Sequence, residues 1–88
     1  MTLAAAERFL AWLQIEQGRA AKTIEAYRRD LRDYEEWLSQ RRKTSQTAGS
    51  ADIEAFVTHL RKHGKAPRSV ARQFAAVRML HKYLVAEG

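Results

Sequence analysis

Bases and hydroxyls stand together at two places in this sequence in the same order. Gly18-Arg19-Ala20-Ala21-Lys22-Thr23-Ile24 and Gly64-Lys65-Ala66-Pro67-Arg68-Ser69-Val70 both run glycine, base, alanine, any residue, base, hydroxyl, β-branched apolar residue. Such groups suit phosphate oxygens: Lys and Arg bring charge, Thr and Ser bring hydroxyl donors, and a helix start adds free backbone N–H groups. Other reactive side chains lack the company that chemistry needs. Tyr27, Tyr34 and Tyr83 are accompanied by no positioned base or electrophile cluster that would make one of them a nucleophile. His59 and His63 stand four residues apart but lack the third ligand and the intervening Glu of a zinc motif. His81, beside an apolar stripe, reads as a half-buried structural histidine. No catalytic residue, metal site, cofactor or small-molecule ligand is expected.

The stretch KTIEAYRRDL (residues 22–31) raises an electrostatic question. Helix dipoles favour acids near the amino end, yet here Lys22, Arg28, Arg29 and Arg32 precede Asp33, Glu35 and Glu36. Either the i,i+4 pairs Glu25–Arg29 and Arg32–Glu36 neutralise these bases, or an external anion does, and the spacing leaves both open. From Arg61 to Ala86 the balance is different, with seven bases and no acid. That segment cannot make an internal Glu–Lys pair and is expected to present a functional basic surface. At 100° per residue Arg68, Arg72, Ala75 and Lys82 share the side opposite the apolar stripe, with Arg78 nearer its edge. They are expected to form one outward ridge, whose removal would leave folding nearly intact.

Four sets of apolar residues at helical spacing would position these side chains. They are Ala6, Phe9, Leu10 and Leu13; Ile24, Tyr27, Leu31, Tyr34 and Leu38; Ile53, Phe56, Val57 and Leu60; and Val70, Phe74, Val77, Leu80 and Leu84. Thr2 is a candidate cap for the first helix, with Gly18 its stop. Ser50 is the expected cap of the third, with Asp52 in its first turn and Gly64 beyond its end. Pro67 suits the first position of the fourth. No segment alternates as a strand does, so the class is all-α. The polar run RKTSQTAG (residues 42–49) reads as a flexible connection between two helical hairpins. Trp12 and Trp37 are expected to pack the first helix against the second.

Eighty-eight residues make a single domain with a thin core. With no cysteine, a disulfide framework and a thiolate metal site are excluded, and a cytoplasmic location is the expectation. No membrane span or secretory leader is legible. The formal net charge of +6 points towards a polyanion.

Phe9 to Leu13 (FLAWL), Thr23 to Leu31 (TIEAYRRDL), Glu36 to Leu38 (EWL) and Arg68 to Leu84 (RSVARQFAAVRMLHKYL) together resemble the N-terminal core-binding domain of tyrosine recombinases, particularly the Xer type. The resemblance covers nearly the whole chain. It implies a four-helix bundle of two crossed helical hairpins, SAM-like in fold, that grips one face of duplex DNA with its second and fourth helices towards the major groove. The process implied is DNA integration or chromosome dimer resolution. The family's catalytic arginines, lysine, histidines and nucleophilic tyrosine would lie in a separate domain expected after Gly88, so this chain would not itself be an enzyme. A second recombinase protomer would be the protein partner. On this footing the expected DNA-binding residues are Lys22, Thr23, Arg28, Arg29, Lys65, Arg68, Ser69 and Arg72. Family members often carry Ser where Ala20 and Ala66 stand, so both helix caps are expected to be weak. The alternative is a stand-alone basic helical domain that meets an acidic protein or a membrane surface.

Overall fold

The computed structural model describes residues 4–87. Among them are four helices and no strand: α1 (Ala4–Ile15), α2 (Ala21–Gln40), α3 (Ser50–Lys62) and α4 (Pro67–Glu87). Thr2 lies outside the described residues. The helices pack α1 on α2, α2 on α4, α3 on α4 and α1 on α4, so α4 touches every other helix. One core joins both hairpins, built from Phe9, Leu10 and Leu13, from Ile24, Leu31, Tyr34 and Leu38, from Phe56 and Leu60, and from Val70, Ala76, Val77 and Leu80. Burial of these apolar side chains is the main force that holds helices of this length together.

The helix ends show where local chemistry agrees with the sequence reading and where it departs. Ala20 occupies the N-cap of α2 with no side-chain hydrogen bond, as expected of alanine. At α3, Ser50 is already the first helical residue and Gly49 is the cap; Asp52 reaches back to accept the Gly49 N–H at 2.9 Å. A carboxylate three residues into the helix thus does the work expected of the serine hydroxyl. Gly64, at φ +75°, closes α3: its N–H donates to Arg61 O and the Lys65 N–H to Leu60 O, the paired bonds of a Schellman ending. The same pair ends α2, with Arg42 N–H to Ser39 O and Lys43 N–H to Leu38 O. There the left-handed position is held by Arg42 at φ 59°, a conformation that side chains other than glycine adopt at a cost.

The connection after Arg42 is tied down rather than flexible. Ser45 is 1% exposed, and its N–H and hydroxyl both donate to the buried Glu35 carboxylate, at 3.2 and 3.0 Å. Lys43 bonds Asp52 at 2.7 Å, which fastens the start of the loop, just beyond α2, to the first turn of α3. The tryptophans also differ from expectation. Trp12 lies against Tyr83 of α4, ring centroids 5.5 Å apart, and Trp37 lies against Phe56 of α3 at 5.3 Å. Each therefore joins a first-hairpin helix to the second hairpin, instead of joining α1 to α2.

The buried stripe of α4 is rotated from the one read in the sequence. Val70, Gln73, Ala76, Val77 and Leu80 face the core, while Phe74 is 36% exposed beneath the Arg78 guanidinium, 5.6 Å from its ring centre. A hydrophobicity pattern favours Phe over Gln; the structure buries Gln73 because α2 offers it partners, the Asp30 carbonyl at 3.1 Å and the Asp33 carboxylate at 3.4 Å.

Candidate nucleic-acid interface

The rotation of α4 decides the surroundings of its bases. Arg72 stands one turn before the buried Ala76, so it borders the α2 interface rather than the middle of an outward ridge. Its Nε and Nη2 both donate to the Asp30 carboxylate at 2.8 Å, a side-on fork between two helices. The two ends of this pair see different media, since the Asp30 side chain is 4% exposed and that of Arg72 is 44% exposed. Bonding to Asp30 raises the Arg72 pKa against the opposing effect of desolvation. The expectation that Arg72 could be removed without cost to the fold is corrected on this geometry, because Asp30 would lose the partner that lets it be buried. No sequence signal short of the tertiary contact marks Asp30 as that partner, because 42 residues separate the two.

The other expected contact residues fall into two groups. Lys22 is exposed and Thr23 partly so in the first turn of α2. Lys65 precedes α4, Arg68 is exposed in its first turn, and Ser69 is partly exposed beside it. The Asp30 fork ties α2 to α4, the helices that start near these two groups. Arg29 is exposed and makes no ion pair among the described residues, and the same is true of Arg32. The expected pairs Glu25–Arg29 and Arg32–Glu36 are therefore not the ones formed. Arg28 takes the acids instead, donating through Nε and Nη2 to Glu7 at 3.1 Å and through Nη1 to Glu25. Bonding to Arg28 holds the Glu7 carboxyl below the usual carboxylate range, and the same contact raises Arg28. Glu7 lies in α1, so this pairing too depends on packing between helices.

Tyr34, His81 and Tyr83 take structural places. Tyr34 is fully buried and shares a 2.7 Å hydrogen bond with His81 Nε2. Burial lowers the His81 pKa and raises that of Tyr34 far above its ordinary range, so both are held neutral. Tyr83 packs on Phe9 and Trp12 and donates to Glu87 at 2.9 Å. Among the described residues no group of His, Cys, Asp and Glu could hold a metal ion. Nor is any described helix long and apolar enough to cross a membrane.

With two basic groups exposed on the helical scaffold, the available chemistry is recognition of an anion by charge and by directed N–H donors. Comparison with known proteins gives that scaffold a family. Residues 6–88 match the family model of the phage integrase N-terminal SAM-like domain. Tyrosine recombinase XerD of Agrobacterium fabrum is 37% identical over 82 residues, covering 93% of this chain and 25% of the relative. Tyrosine recombinase XerD of Rhizobium meliloti is 36% identical over 88 residues, covering 100% and 28%. Tyrosine recombinase XerC of Xanthomonas campestris pv. campestris is 40% identical over 88 residues, covering 99% and 27%. The chain thus spans roughly a quarter of the length of these relatives. No solved structure matches it. A match over nearly every residue, on an all-α scaffold of the expected kind, places the chain in the phage integrase N-terminal SAM-like domain family.

Proposed function

We propose that this chain is the DNA-binding module of a tyrosine recombinase, and that it clamps duplex DNA with the outer faces of α2 and α4 during integration or chromosome dimer resolution. The observation that carries the reading is the basic segment from Arg61 to Ala86: it contains no acid, and its Arg61, Lys62, Lys65, Arg68, Arg78 and Lys82 are all exposed. Family membership supports DNA as the ligand of that surface, since the relatives quoted above are named tyrosine recombinases. On α2, Lys22, Thr23 and Arg29 extend the same kind of surface, while Arg28 is taken up by Glu7 and Glu25. Strand cleavage belongs to residues of the recombinase outside this chain, a second protomer is its protein partner, and the cytoplasm is its place of action.

Titration of a labelled duplex at several salt concentrations tests the reading. Each neutralised phosphate contributes about −0.9 to the slope of log K against log salt, so a module with several contacts shows a steep slope. Saturable binding that ignores salt overturns it, as does a preference for anionic lipid vesicles or an acidic protein over DNA. Incubated with a suicide substrate, the chain is expected to form no covalent DNA adduct.

A further inference from the structure

Arginine has five N–H donors in one rigid plane. In Arg72 the Nε–H and one Nη2–H are committed to Asp30. The donors left over include two parallel N–H groups along the end edge, one on Nη1 and one on Nη2, on a side chain that is 44% exposed. The acid behind it is fixed in turn, because the Asp30 backbone carbonyl accepts from Gln73, itself 1% exposed. A side chain that is otherwise free to turn is here aimed.

Two parallel donors fit two acceptors, either a pair of phosphate oxygens or the O6 and N7 of guanine. Charge separates these targets. Next to a buried carboxylate the Arg72–Asp30 pair is neutral as a unit, so it adds little to the long-range attraction of a phosphate backbone. Arg68, Arg78 and Lys82 on the same helix make no ion pair among the described residues and keep theirs. A phosphate clamp needs charge and tolerates loose geometry; reading a base needs direction and tolerates a neutral unit. We infer that Arg72 is a specificity-determining residue that reads a guanine edge, and that Asp30 is the positioning residue that holds its guanidinium for the task. The inference rests on the DNA-binding role proposed above.

The test compares one G·C-containing duplex with the same duplex carrying 7-deazaguanine, which lacks the N7 acceptor. The parent chain is expected to bind the unmodified duplex about tenfold more tightly. Arg72→Lys, which keeps the charge but loses the fork, and Asp30→Asn, which loosens it, should bind both duplexes alike. Arg68→Ala should still discriminate, with a salt slope shallower by about 0.9. Circular dichroism melts establish that each variant is folded; if Asp30→Asn is not, Arg72→Lys decides alone. The inference is overturned if the parent ignores the deaza substitution, or if Arg72→Lys discriminates as the parent does. If the parent binds no duplex at all, the DNA-binding role itself falls and the inference goes with it; binding without discrimination sinks only the inference.

Discussion

The two hairpins satisfy their bases in different ways. In the first, Arg28 of α2 is held between Glu7 of α1 and Glu25 of its own helix. In the second, the run from Arg61 to Ala86 has bases only, and Arg72, the one base of that run with an ion pair among the described residues, takes its acid from α2. The supply of nearby acid, more than the number of bases, sorts scaffold charges from surface charges. A base within reach of a buried carboxylate becomes part of the packing; one beyond reach is left for an external anion.

The largest expected effect tests whether the hairpins are one unit. Leu31 is fully buried in the core shared by all four helices. Leu31→Ala should cost about 2–5 kcal/mol, much of the stability of so small a domain, and both hairpins should melt in a single transition. Two separate transitions by circular dichroism and tryptophan fluorescence would show that the hairpins fold independently. Next in size is the pair that crosses between them. Arg72→Ala strands the buried Asp30 carboxylate and should lower stability by about 1–3 kcal/mol, a loss read from thermal melts. Unchanged stability would mean that Asp30 finds water instead, and that α4 owes nothing to the acid of α2.

Much of this division was legible in the sequence. The apolar stripes of α1 to α3, the glycine ending of α3, Pro67 at the start of α4 and the acid-free basic segment depend on residues close in sequence, and periodicity or turn chemistry reports them. The features that escaped are those made by packing between helices. Gln73 is buried because Asp30 and Asp33 face it, Arg72 is fastened because α4 is turned towards α2, and Arg28 adds Glu7 of α1 to the Glu25 of its own helix. The loop read as flexible is fixed by a glutamate ten residues earlier. In the candidate interface, residue types were therefore legible and residue states were not: Arg68 and Arg72 look alike in sequence and differ in everything the other helix contributes.

A third effect, smaller again, comes from the seam where Tyr34 meets His81. Burial depresses the His81 pKa below 6.5, so the unfolded chain takes up the proton more readily than the folded one. The stability from keeping His81 neutral is present in full above about pH 6.5 and is lost as pH falls through its folded value. Glu35 acts in the opposite sense: burial raises its pKa above 4.5, so its share of stability is greatest below that pH and shrinks as pH rises towards its folded value. Melting temperatures should fall between about pH 7.5 and pH 5.5, and His81→Gln should flatten that fall. If His81→Gln melts with the same pH dependence as the parent, the seam between the hairpins is not where the protons are taken up.

The smallest effects on stability bear most directly on the contrast between paired and unpaired bases. Arg28 is partly exposed and its acids more so, and pairs of that kind contribute about 0–1 kcal/mol, so Arg28→Ala should shift the melt only slightly. Arg68 has no partner among the described residues, and Arg68→Ala should stay within about 0.5 kcal/mol of the parent. The two variants remove the same charge and barely touch the fold, yet their effects on duplex binding should differ. Losing Arg68 removes a phosphate contact, and the salt slope should become shallower by about 0.9. Losing Arg28 frees Glu7 and Glu25, which weakens attraction to DNA through repulsion but removes no bound phosphate, so the slope should hold. Equal reductions in slope would mean that Arg28 gives up its acids to grip DNA, and the pairing seen within the first hairpin would then be a resting arrangement that the ligand replaces.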